Sequence, residues 1–353
     1  MICNWPDPHP DELFYSICAR YSERVQYSNS RSVVEEIFGT GSAIACVSLP
    51  SHLDYFIAQL PQYRSFDGHR ILDEHTLLPF FVPFLPPERH FRLRQDMLGD
   101  NGPGVHMRAG LMASRVPLPQ WLRYCSQCVE EDRHKYGDCY WHRIHQVPGV
   151  EICPLHKTWV RNSSARARNV QTRYEFISAE SAIQVTLPES EQFDRNKQFF
   201  AILFALALDV QWLMDQRNLS QDLKLLQQRY HWRLVDLGLS TNRGRVDRKA
   251  LLCRFKQMFG TELLNLLHCE LDENTEDCWL IRLIHKPDNS QHPLHHLLLI
   301  HSLGQTVEAF FRIPTQSKPF GDPPWPCLNQ VCHHYLQAQV NECHIKYSHN
   351  GSG

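Results

Sequence analysis

Apolar residues recur at helical spacing from the start of the chain. In residues 11–25, DELFYSICARYSERV, the positions Phe14, Ile17, Cys18, Tyr21 and Val25 fall on one helical face. Pro10 suits a first helical position, and Asp11 and Glu12 suit the positive end of the helix dipole. A second helix is expected behind the capping-box pattern Ser32-x-x-Glu35, with a stop at Gly39. Ser51 is the expected cap of a third, with Leu53, Phe56, Ile57 and Leu60 as its buried stripe. Residues 79–87, PFFVPFLPP, carry four prolines among aromatics and predict an extended apolar segment rather than a helix.

Between 161 and 173 the sequence RNSSARARNVQTR holds four arginines and no acid. It reads as an exposed linker and a first boundary, either a solvated loop or one that touches phosphate. Beyond it the pattern is helical. LSQDLKLLQQRYHWRLVDLG ends at a Gly238 stop, and VDRKALLCRFKQMFG runs from an Asp247 cap to Gly260. TELLNLLHCE, NTEDCWLIRLIHK and HPLHHLLLIHSLG follow at short intervals. Short helices joined by tight glycine-containing turns suit a helix-turn-helix-type module.

Composition narrows the class. Lys and Arg number 36 against 38 Asp and Glu, so any nucleic-acid surface must be local rather than global. The N-terminal MICNWPDPHPDELF has neither a basic nor an apolar leader pattern. The longest apolar run, residues 199–208, is well short of the roughly 20 residues a bilayer needs. Thirteen cysteines without an export signal predict a cytoplasmic protein with reduced thiols and bound metal rather than disulfides.

The sharpest chemistry lies in YCSQCVEEDRHKYGDCYWHRIHQVPGVEICPLH. Cys125-x2-Cys128 is followed, after twenty-four residues, by Cys153-x2-His156. Two such knuckles bring three thiolates and one imidazole together, the donor set of a closed tetrahedral Zn2+ site. Four protein ligands leave no open position for a reactive water, so the expected role is structural. Cys139 is expected to be a buried free thiol, and His134, His142 and His145 to be surface or packing residues. Cys327-x4-Cys332 is a weaker half-site, for which His333, His334, Cys343 or His344 could complete the set.

A third constellation is basic. Arg229, Arg233, Arg243, Arg245, Arg248, Lys249, Arg254 and Lys256 face only Asp236 and Asp247, a local excess of six positive charges. Several stand at the start of the VDRKALLCRFKQMFG helix, where a helix entering a major groove presents its first residues. His292 and His296, at i and i+4, read as packing rather than as metal ligands. No phosphate loop, H-E-x-x-H pair, G-x-S-x-G elbow or deaminase pattern is present. Scattered carboxylates leave a two-metal nuclease as the competing class.

PDPHPDELFYSICAR, DEHTLLPFFVPFLP, the Cys/His segment and HCELDENTEDCWL together resemble the TniQ/TnsD family, target-selecting proteins of Tns-type transposons, over essentially the whole chain. The resemblance implies a non-catalytic protein that binds a double-stranded DNA attachment site and recruits the AAA+ regulator TnsC. TnsC in turn licenses the TnsA/TnsB transposase. The alternative within the family is an adaptor between a CRISPR RNA-guided effector and TnsC. The resemblance also implies that the N-terminal segment meets the AAA+ partner, with Trp5 and Pro6 as the contact. Cys327 and Cys332 resemble the first arm of a further finger, and the SHNGSG end reads as a cut within it, closed by an engineered linker.

The expected architecture is mainly α, with a zinc-ribbon-like insertion and a helix-turn-helix-type module. Its segments are an N-terminal helical region at 1–120, a finger at 121–160 and linking helices at 161–220. A DNA-binding helical module at 221–312 and an incomplete second finger at 313–353 complete it.

Overall fold

The computed structural model describes residues 2, 4–61, 66–168, 173–183, 197–217, 219–271, 278–285, 291–313 and 323–342. Two compact units are present, 1–312 and 313–353.

The first unit is mainly helical. Its N-terminal part holds α1 (Phe14–Val25), α2 (Ser30–Phe38), α3 (Leu53–Gln59), α4 (Gly68–Glu74) and α5 (Leu78–Phe81), then a 3-10 turn at Val82–Phe84. Helices α6 (Pro87–Leu98) and α7 (Gly102–Arg108) follow. A two-stranded antiparallel ribbon, β1 (Trp121–Tyr124) and β2 (Arg161–Arg166), brackets α8 (Ser126–Tyr136). Helices α9 (Ala179–Ala182) and α10 (Phe200–Asp215) lead to α11 (Leu223–Asp236) and α12 (Arg248–Leu266), then α13 (Trp279–His285), α14 (Pro293–Ser302) and α15 (Val307–Phe311). The second unit carries a small antiparallel pair, β3 (Trp325–Pro326) and β4 (Ala338–Val340).

Several local expectations are corrected. Helix α1 starts at Phe14, because Asp11 has φ +55° and lies outside it. The Asp11 and Glu12 carboxylates do not serve the helix dipole. Asp11 accepts from Arg143 Nε at 3.0 Å, and Glu12 binds Ser16 and Arg20, each at 2.9 Å. Helix α2 is capped by Asn29, whose side chain accepts from the Arg31 amide, rather than by Ser32; Gly39 ends it at φ +73°. His52, not Ser51, precedes α3, and the Ser51 hydroxyl bonds the His52 ring instead. Residues 78–84 are helical. Pro79 and Pro83 each sit within the first two positions of their own short helix, where no amide donor is needed, and the run is fully buried. Residues 161–166 form β2 rather than a loop.

The second half follows its caps closely. Asp247 accepts from the Ala250 amide at 3.0 Å, and Gly260 breaks α12 at φ +66°. Helix α10 runs past Asp209, and the stretch Lys197–Asp215 is long and apolar enough to cross a membrane by length and composition. Here it is a packing helix. Asp209 is buried, accepts from the Val307 amide at 3.0 Å and lies 2.6 Å from His301 Nε2, tying α10 to α14 and α15. Cys139 is buried as expected, with its thiol on Glu180 at 3.2 Å. His292 and His296 pack as expected: the first caps α14 and the second meets the Tyr230 hydroxyl at 2.9 Å.

The Cys/His segment is knitted to the N-terminal helices through Glu12–His142 and neighbouring backbone bonds. Leu13 donates to Trp141 O at 2.9 Å, Arg143 donates to Asp11 O at 2.8 Å, and Trp141 Nε1 donates to Ile177 O at 2.8 Å. Buried His142 is central. Its Nε2 lies 2.9 Å from Asp132 and its Nδ1 3.7 Å from Asp11, so it was more than the packing residue expected. Burial alone would lower its pKa, but the two carboxylates outweigh that and raise it to about 9. Because this value lies above the unfolded 6.5, the stabilisation is full below pH 6.5 and is lost as pH rises through 9. Asp132→Asn is therefore expected to cost about 3–5 kcal/mol at pH 6. The difference from the parent should shrink by pH 9.5 in urea titrations; a constant difference would show that His142 carries no charge here.

Candidate metal centre and nucleic-acid interface

The first knuckle is built where a strand meets a helix. Cys125 follows β1 as the N-cap residue of α8, and Cys128 lies in the first turn of that helix. Both sulfurs thus sit at the positive end of α8, which favours thiolate. The second knuckle is a tight turn. Cys153 N donates to Thr158 O at 2.8 Å and Lys157 N donates to Cys153 O at 2.9 Å, with Lys157 at φ +56°. An Ile152–Trp159 bridge closes the loop.

These turns bring all four expected ligands together, with Cys125, Cys128, Cys153 and His156 offering donor atoms within 4.8 Å of one another. His156 Nδ1 stands 3.6, 3.2 and 3.8 Å from the sulfurs of Cys125, Cys128 and Cys153, and Cys128 Sγ is 3.8 Å from Cys153 Sγ. Zinc at about 2.3 Å from sulfur and about 2.0–2.1 Å from nitrogen would give tetrahedral edges of roughly 3.5–3.8 Å, so the donor set fits that ion. The other imidazole nitrogen, Nε2, lies 2.9 Å from Glu131 Oε1, the carboxylate–histidine arrangement that fixes a metal-binding ring. Without metal, hydrogen bonds from the Cys128 and Cys153 thiols hold Cys125 below the usual thiol range, while Cys128 is pushed up. A bound cation would displace the remaining thiol protons.

Two neighbours escaped sequence reasoning. Buried His145 places Nε2 3.9 Å from Cys128 Sγ, and the Thr158 hydroxyl lies 3.1 Å from Cys125 Sγ. Glu131 was legible in principle, because it lies three residues after Cys128 on the same helix face. Behind the site, buried Arg123 donates to Val147 O at 2.8 Å and pairs with Glu151 at 3.1 Å, bracing β1 against the second knuckle.

In the second unit Cys327, Cys332 and His334 form another cluster able to hold a metal ion, with Cys332 Sγ 3.2 Å from His334 Nε2. His333 is exposed. Cys343 and His344 lie outside the described residues, as does most of the acidic stretch 270–277.

The basic constellation divides. Arg229 is buried, donates to Gln221 Oε1 at 2.6 Å and lies over the Phe311 ring at 5.8 Å, so it presents no cation to a ligand. Arg233 is half-buried on Asp236 and Leu303 O, and Arg254 is half-buried on Ser302 O. Lys256 is half-buried as well. The expected contact at Arg229 is corrected, because its side chain packs inside the helical unit, while Arg233, Arg254 and Lys256 stay partly exposed. Arg243, Arg245, Arg248 and Lys249 are exposed and close in sequence. Arg248 and Lys249 open α12, whereas Arg243 and Arg245 occupy a fixed turn between α11 and α12. A Ser240–Val246 bridge, Thr241 N to Arg245 O at 3.0 Å and Asp247 N to Leu239 O at 2.8 Å hold it, with Gly244 at φ +84° supplying the left-handed corner.

The N-terminal expectation is corrected too. Trp5 is 2% exposed and packs on Phe56, Tyr21 and Phe14 at ring distances of 4.4, 5.0 and 6.0 Å. Pro6 is likewise buried. An aromatic of this size gains more from the α1–α3 core than from water, so neither residue offers an exposed anchor.

Residues 4–159 match the TniQ family, and residues 206–352 match the family described as Tn7-like transposition protein D. The chain is also similar to the transposon Tn7 transposition protein TnsD of Escherichia coli, with 29% identity over 304 residues. That alignment covers 85% of this chain and 58% of the relative, so the chain spans little more than half the length of the protein it matches. The first Cys/His cluster lies inside the TniQ match, and the exposed basic stretch 243–249 and the second cluster lie inside the TnsD match. By these matches the chain belongs to the TniQ/TnsD family.

Proposed function

We propose that this protein is a non-catalytic target selector for Tn7-type transposition: it binds duplex DNA at an attachment site and recruits the AAA+ regulator TnsC. The observation that carries the reading is the stretch 243–249. Within a segment that matches a Tn7-like transposition protein, a turn fixed by its own hydrogen bonds and the first two residues of α12 present four exposed cations. Such a turn fits a phosphate backbone, and the start of α12 beside it fits the entry of a helix-turn-helix-type module into a groove. The first cluster holds structural Zn2+ in this reading, because its four protein donors leave no site for a reactive water. The second cluster holds a further ion if residues beyond His334 complete it. TnsC contact falls to the exposed residues of the N-terminal helices rather than to Trp5 or Pro6.

The test is duplex binding as a function of salt. Arg245→Ala with Arg248→Ala is expected to weaken binding and to flatten the log–log salt slope by about 0.9 per lost phosphate contact. An unchanged slope would remove the stretch from the interface. Selection from a random duplex pool then separates a selector that reads DNA itself from an adaptor that takes its address from a guide RNA. A recovered motif supports the first, and binding without a motif leaves the address either to a guide RNA or to sequence outside these residues.

A further inference from the structure

A second cationic surface lies on the ribbon, far along the sequence from the 243–249 stretch. Strand β2 alternates: Ser163 and Ala165 face inward and are buried, whereas Asn162, Ser164 and Arg166 face outward and are exposed. Arg168 continues the exposed side just past the strand. Same-face residues on a strand repeat at roughly 6.6–6.8 Å, a regular spacing that suits a regular polyanion better than an irregular acidic protein.

The arginines are held rather than loose. Arg166 lies over the Trp121 ring at 5.0 Å, across the antiparallel pair from its own backbone partner. Arg173 lies over Tyr174 at 4.7 Å and donates to its hydroxyl at 2.6 Å, while Arg31 approaches the same ring at 5.8 Å. A guanidinium resting on an aromatic face keeps its N–H edge turned outward and loses little freedom on meeting an oxyanion. Among the described acids, Glu35 pairs with Arg31 at 3.3 Å, Glu180 of α9 pairs with Arg133 at 2.9 Å, and Glu175 beside Tyr174 is exposed. None falls within 161–173. Ser164 is already committed, donating to Ala182 O at 3.1 Å, so the arginines carry the contact.

We infer that the outward face of β2, through Arg166 and Arg168, is a second contact for the phosphates of duplex DNA. The inference rests on the duplex-binding reading above and adds to it a foothold just past the TniQ match, which ends at residue 159. Phosphate contacts of this kind set register and orientation and carry no sequence information, so the ribbon would position the chain while α12 addresses the groove.

The experiment uses the full zinc-loaded chain and a random-sequence 30-base-pair duplex, titrated between 50 and 200 mM NaCl. Arg166→Ala with Arg168→Ala should lower the salt slope by about 1.8, and Arg168→Ala alone, which removes no ring contact, by about 0.9. Zinc content and thermal midpoint should stay at parent values. A slope unchanged in both ribbon variants while the Arg245/Arg248 variant loses slope overturns the ribbon contact and leaves the DNA reading standing. A parent chain that binds no duplex overturns both. Ribbon variants that lose affinity for poly-L-glutamate but not for the duplex would assign the surface to an acidic polypeptide and overturn the inference.

Discussion

Cys128→Ser is expected to remove one equivalent of zinc per chain and to melt the ribbon together with the N-terminal helices packed on it. The hydroxyl of serine does not replace a thiolate ligand, and three remaining donors hold zinc far more weakly than four. Binding free energies of about 10–16 kcal/mol for zinc-finger peptides bound the effect from above. Here the ribbon also has protein partners, so a loss of several kcal/mol is expected, lowering the thermal midpoint by roughly 5 °C or more. The damage should spread because the segment between the knuckles is shared. Trp141 accepts from Leu13 through its carbonyl and donates to Ile177, and buried Arg143 donates to Asp73 O and Thr76 O at 2.8 and 3.3 Å. The near-ultraviolet signal of Trp141 should therefore fall with the zinc. Metal analysis, circular dichroism and a chelator titration of the parent check this. Unchanged zinc content in the variant, or an unchanged melting curve after chelation, would mean the cluster is not a metal centre that supports the fold.

What the sequence made legible was what is decided locally. Two knuckles at tight spacing specify four donors, and the structure brings all four together because each knuckle closes through its own turn. Asp247 as a cap and Gly260 as a break were likewise readable, since each acts through neighbouring backbone. Long-range partners were not. Asp11 and Glu12 look like helix-dipole residues until His142, Arg143 and Arg20 claim them, and nothing near them in sequence announces that. Arg229 carries the same charge as Arg245. Only the arrival of Gln221 and Phe311 from other turns makes one a packing residue and leaves the other in solvent. Prolines 79 and 83 misled because their effect depends on position within a turn, which composition does not give. Trp5 reads as an exposed anchor beside prolines until α1 and α3 close over it.

Acidification should unfold the helical module through α14. His292, His295 and His296 are buried on one helix among rings: Phe80 and Phe81 flank His292, Trp279 stacks on His295 at 4.1 Å, and Phe84 stacks on His296 at 4.4 Å. Burial, followed by mutual repulsion, holds His292 well below the ordinary range and His296 near about 3. His295 also falls to about 3, through burial first and the Arg282 charge second. No carboxylate faces them among the described partners, so a proton added to any of the three is a buried charge without a counter-ion. The folded state therefore stays neutral between pH 6.5 and 3 while the unfolded chain takes up protons, and stability falls as pH drops below 6.5. Each histidine should withdraw about 2 kcal/mol between pH 7 and pH 5, or about 6 kcal/mol for the three. His142 opposes this by only about 1 kcal/mol in that window, because most of its stabilisation is already in place near pH 6.5. Urea titrations at pH 7, 6 and 5 measure the slope, to which buried His75 and His145 add in the same direction, and His295→Gln should reduce the loss by about 2 kcal/mol by deleting one titrating group. If the slope in His295→Gln equals that of the parent, His295 is charged in the folded protein and its ring stack on Trp279 tolerates the proton.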